Sequence, residues 1–99
     1  MFDERDHDGK HVLSIEFTND SLLNIKLTIN ECLCVYHIDS NKIKISFDGE
    51  SGLCTKVCCD SELSIEQYKM LRAIKTGCLT NDKLIFADKK DILIFKKEK

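Results

Sequence analysis

From His11 onward, apolar residues fall at every second position, and this alternation constrains the fold more than any other feature of the chain. Leu13, Ile15 and Phe17 are separated by Ser14 and Glu16. After a break at residues 18–20, Leu23, Ile25, Leu27 and Ile29 share one side, with Asn24, Lys26 and Thr28 on the other. Successive side chains of a strand point to opposite faces, so a period of two predicts half-buried antiparallel strands. Asn19 and Asp20 supply the first tight turn and residues 30–31 the second, leading into a strand over 32–38. A turn at 39–41 precedes a strand with Ile43, Ile45 and Phe47 facing inward. A loop with two glycines at 48–52 then leads to a fifth strand at 53–59.

After residue 60 the period changes to that of a helix. Ser64 is the expected N-cap, Gln67 completes a capping box, Leu63 and Tyr68 form a hydrophobic staple, and Gly77 stops the helix. Tyr68, Met70, Leu71 and Ile74 fall on one side and Glu66, Lys69, Arg72 and Thr76 on the other, an amphipathic pattern. The chain closes with a hairpin whose strands are apolar on both faces, because Leu84, Ile85 and Phe86 are consecutive, as are Ile92, Leu93, Ile94 and Phe95. A strand of this kind lies inside a packed structure or is covered by something else. The expected fold is α+β: a bent antiparallel sheet of about seven strands, in the order β-β-β-β-β-α-β-β, with one helix packed on it. Residues 1–10 are expected to form a polar flexible tail and residues 11–99 a single domain.

Six cysteines offer the main chemistry. Paired C-x-x-C knuckles, the strong zinc signature, are missing; the chain has C-x-C at 32 and 34 and C-x-x-x-C at 54 and 58. Side chains at i and i+2 of a strand lie ~6.8 Å apart, whereas two sulfurs on one tetrahedral zinc are ~4 Å apart. Cys32, Cys34, Cys54 and Cys58 are therefore expected to be reduced, metal-free and packed as small apolar side chains. A metal-binding or redox role for these four cysteines is the alternative. His37 reaches Cys34 only through tertiary placement, and no local signature makes a nucleophile of it. His7 and His11 with Asp3, Asp6 and Asp8 read as a solvated tail, and residues 48–51 as a hairpin loop without calcium-loop spacing.

Composition narrows the function classes. Net charge is −2, and the fifteen basic residues include only Arg5 and Arg72 as arginines, which disfavours nucleic-acid recognition. The charged first ten residues carry no secretory signal, and no segment approaches the ~20 apolar residues of a membrane span. A cytoplasmic protein is expected, in the host cytoplasm if viral. Absent proline and tryptophan with abundant lysine and isoleucine point to an AT-rich source such as a low-GC bacterium or one of its viruses. Neither a phosphate loop nor a catalytic order of residues is present, so neither enzyme activity nor a cofactor is expected. The remaining reading is a small non-enzymatic protein-binding module of the inhibitor or antitoxin type, for example one that blocks a host defence complex by occupying its surface. Its partner would be another protein or a second copy of the chain. The expected contact residues are Leu84, Phe86, Leu93 and Phe95 on the closing hairpin, with Asp48 and Glu50 on the 48–52 loop.

Overall fold

The computed structural model describes residues 2–5, 9, 11–47, 53–55 and 60–97. The elements are β1 (Phe2–Arg5), β2 (His11–Phe17), β3 (Leu22–Lys26), β4 (Glu31–Asp39), β5 (Lys42–Ser46), β6 (Leu53–Cys54), α1 (Glu62–Ile74), β7 (Thr76–Leu79), β8 (Lys83–Ala87) and β9 (Ile92–Lys97). Apart from β6, each strand pairs antiparallel with the next along the chain, β5 with β7, and β1 also pairs with β9, while β6 pairs with β4. The expected bent sheet of seven strands is therefore corrected to an eight-stranded closed barrel, β1-β2-β3-β4-β5-β7-β8-β9, with β6 added. Two segments account for the difference. Phe2–Arg5 lie within the expected flexible tail yet form the strand that closes the ring, and Thr76–Leu79, which span the expected helix stop at Gly77, form another.

Closure follows from the alternation. An eight-stranded barrel has an interior just wide enough to be filled by side chains, and the inward residues fill it. Leu13, Ile15, Leu23, Ile25, Ile43 and Ile45 are almost wholly removed from solvent, as are Leu84, Phe86, Leu93 and Phe95. The Phe86 and Phe95 rings meet edge to face at 5.9 Å between centroids. Gly77 makes that packing fit: a Cβ there would stand 2.7 Å from the Phe86 ring and 2.5 Å from the Ile85 carbonyl oxygen. Gly77 is thus a strand residue under an aromatic ring, and the helix ends instead at Lys75, which adopts φ 66°.

The helix lies across one mouth of the barrel. The Ser64 hydroxyl donates to the Val12 carbonyl at the start of β2, Ile45 N–H donates to the Lys75 carbonyl, and Tyr68 packs edge-on against Phe47 just after β5. Leu71 and Ile74 complete the core from above. The cap is Ser61, whose side chain accepts from Ser64 N–H, so the helix starts before the expected Ser64. At the opposite mouth the Phe2 ring meets Phe17 edge to face and Phe17 meets Tyr36 at a tilt, and the Tyr36 hydroxyl donates to the Asn19 carbonyl at 2.6 Å.

Strand β6 continues β5 along the same edge of β4. Ser46 stands opposite Val35 and Leu53 opposite Leu33, so two steps along β4 are matched by seven along its neighbour, five more than a regular ladder needs. Asp48, Glu50, Cys58 and most of the expected fifth strand lie outside the described residues.

Candidate functional site

The closing hairpin, read in the sequence as the contact surface, divides its two apolar faces between the core and solvent. Leu84, Phe86, Leu93 and Phe95, the expected contact residues, all point into the barrel and are at most 1% exposed. This is a correction: in the folded chain they are core. The opposite parity of the same strands faces outward, leaving Ile92 60% and Ile94 41% exposed, with Ile85 half-buried between neighbours. Asp48 and Glu50 fall outside the described residues.

Register joins these outward residues to others that sequence reading does not group with them. Ile94 stands opposite Ile85, Ile85 opposite Cys78, and Cys78 opposite Lys42. In the next row Ile92 stands opposite Ala87, and on the far side of the face Lys44 pairs with both Thr76 and His37. One outer wall of the barrel therefore passes from isoleucine to lysine across β9, β8, β7 and β5. A depression of about 400 Å³ is set into it between the Lys42, Lys44 and His37 side and the Cys78, Ile85 and Ala87 side. That volume is in the range of ligand-sized clefts. Lys83 and Lys96 face each other across the row beyond Ile85 and Ile94, so lysines flank the apolar centre on two sides, with Asp39 lining the depression and Asp3 opposite Lys96. The face can accept an apolar side chain and attract negative charge around it.

A second cluster forms where the helix meets the barrel. Cys32 and Cys54, directly opposite on β4 and β6, are joined by a disulfide. This corrects the expectation that both are reduced packing residues. Cys32 is buried as expected, whereas Cys54 is exposed. Cys34 is a buried free thiol and Cys78 an exposed one. Burial raises the Cys34 thiol pKa, and the nearby Arg72 charge opposes that rise. No three histidine, cysteine or carboxylate side chains converge on a metal-sized site among the described residues. His37 stands on the outer wall, two positions beyond the inward-facing Tyr36 ring's neighbour Val35, and not with Cys34 in the core.

Periodicity missed the outer face for a physical reason. When both parities of a strand are apolar, alternation cannot show which set points inward. The usable signal lay in the neighbours: Thr76 and Cys78 of β7 and the alternating lysines of β5 belong to an outward row, and the isoleucines opposite them must share it. No helix among the described residues is long and apolar enough to cross a membrane. Compared with the models of known protein families, with curated proteins and with solved structures, the chain matches none.

Proposed function

We propose that this chain is a non-enzymatic protein-binding module of the inhibitor or antitoxin type, which acts by laying the outer wall of β7, β8 and β9 on a partner protein. The observation that carries this reading is the run of Ile92, Ile94, Ile85, Ala87 and Cys78 on the solvent side of a barrel whose interior is already filled. Single exposed isoleucines need no explanation, but contiguous apolar residues rimmed by charge are the usual form of a contact surface. A closed ring leaves no long free edge onto which a strand could be added, so the mode is face packing. The lysine flanks favour a partner that sets carboxylates around an apolar anchor, and such pairing weakens as salt screens it.

The test is a double substitution, Ile92→Glu with Ile94→Glu, in the full chain. Both side chains face solvent, so the thermal midpoint should move little, corresponding to about 0.5 kcal/mol or less. A partner recovered from the native cell by the wild-type chain should be lost by the variant, and wild-type capture should weaken with added salt. Retention of the same partner by a folded variant defeats the reading. Sedimentation of the wild-type chain alone shows whether the surface is instead taken by a second copy.

A further inference from the structure

Around the mouth covered by α1, the structure gathers a disulfide, a phenol and a guanidinium. The Tyr68 hydroxyl lies 3.8 Å from Cys54 Sγ, and the Arg72 guanidinium sits 5.9 Å from the Tyr68 ring centroid and 5.8 Å from that of Phe47. Cys54 is open to solvent, whereas its bonded partner Cys32 is 3% exposed. We propose that Cys32–Cys54 is a thiol–disulfide exchange site for low-molecular-weight thiols, with Cys54 the sulfur attacked and Cys32 the sulfur released.

Three observations support this assignment. Attack on a disulfide needs an accessible sulfur, and only Cys54 offers one. The bond fastens β6, a two-residue strand outside the ring of eight, so opening it leaves every pairing that closes the barrel in place. The third is the Tyr68 hydroxyl. Burial first, and the neighbouring Cys34 second, raise its pKa, so it remains protonated and able to donate to a sulfur that gains charge.

The reaction balances in two steps. A substrate thiolate attacks Cys54 Sγ, forming a substrate–Cys54 disulfide; the Cys32–Cys54 bond breaks, and its electron pair leaves with Cys32 Sγ, which takes a proton. A second substrate thiolate then attacks the substrate sulfur of the mixed disulfide and expels Cys54 as a thiolate, with the Tyr68 hydroxyl as hydrogen-bond donor. In sum, the protein disulfide is reduced to a dithiol while two substrate thiols are oxidised to their disulfide. The reverse sequence reoxidises the pair. Cys34, buried and with its thiol pKa raised, is a spectator.

The experiment uses the full chain purified without reductant and exposed to mixtures of reduced and oxidised glutathione. Samples are quenched in acid, alkylated and mapped by peptide mass spectrometry. Glutathione should appear on Cys54 and free thiol on Cys32, with Cys34 carrying no glutathione. Cys32→Ser should hold glutathione on Cys54, because the internal thiol that would expel it is gone. Tyr68→Phe should slow the second step and raise the share of chain carrying glutathione on Cys54 by about five-fold, the effect of one hydrogen bond. Adducts on Cys32 in place of Cys54, a bond that survives a large excess of reduced glutathione, or an unchanged adduct share in folded Tyr68→Phe would each overturn the proposal. Should Cys32→Ser fail to fold, the wild-type time course decides by itself.

Discussion

Glu4 is the one carboxylate on the inward parity of β1, opposite the fully buried Leu13. Its Oε1 is buried without a hydrogen-bond partner among the described residues. Burial first, and the adjacent Asp3 charge second, raise its pKa from 4.5 to about 7. Below pH 4.5 folded and unfolded chains are both protonated. Between 4.5 and about 7 the unfolded chain ionises while the folded chain keeps its proton, so stability falls across that window and stays lower above it. Glu4→Gln should therefore match wild type at pH 4 and melt higher at pH 8. Glu4 is only about half-buried, and discounting for solvent leaves a gain of about 1 kcal/mol, or about 4–8 °C. Equal midpoints at pH 8 would show that the carboxylate is already solvated. The same residue shows how local sequence conceals a role: in a run of charged residues Glu4 looks solvated, and only its pairing with Leu13 turns it inward. The cysteines behave alike. The i to i+2 spacing concerns only residues of one strand, and says nothing of which residue faces Cys32 across a ladder.

Among the elements, the junction before α1 shows why boundaries were less legible than the helix itself. Ser61 and Ser64 are both good caps by composition, and the structure chooses Ser61 because Asp60 anchors the chain there. The Asp60 carboxylate accepts from Ile29 N–H at 2.6 Å, Asn30 N–H at 2.9 Å, the Asn30 side-chain amide at 2.7 Å and the Thr28 hydroxyl at 3.2 Å. Thr28 in turn accepts from Ser61 N–H. Partial burial raises the Asp60 pKa, but these donors outweigh it and hold the carboxyl below its usual range. Its stabilising effect is therefore present near neutrality and lost as pH falls through that lowered value. Asp60→Ala should cost about 2 kcal/mol in urea unfolding at pH 7, with donors left unmet in the β3–β4 turn, and the gap to wild type should narrow in acid. An unchanged unfolding midpoint would count against the anchor. Freed from the cap, Ser64 is buried and bonds Val12, a contact between residues 52 positions apart that no local rule shows.

For the molecule as a whole, strand periodicity supplied most of the barrel wall but not its closure. The strands that complete the ring, β1 and β7, are four residues each and carry too little pattern to be recognised. A flexible tail could be deleted without loss, whereas here removal of residues 1–8 takes out a strand paired on both sides and the buried Phe2. That deletion should lower stability by about 3 kcal/mol or more, the usual cost of losing a buried phenylalanine. It should also promote association through the bared edges of β2 and β9. Thermal melting and light scattering check both, and an unaffected, monodisperse chain would contradict the closed ring. Phe2 stands opposite Lys97, so the first and last strands are lateral neighbours. A cycle of strands has no obligatory starting point: a circular permutant opened in the turn between Ala87 and Ile92, with a short linker joining β9 to β1, preserves every neighbour pair of the cycle and replaces only one covalent hairpin with another.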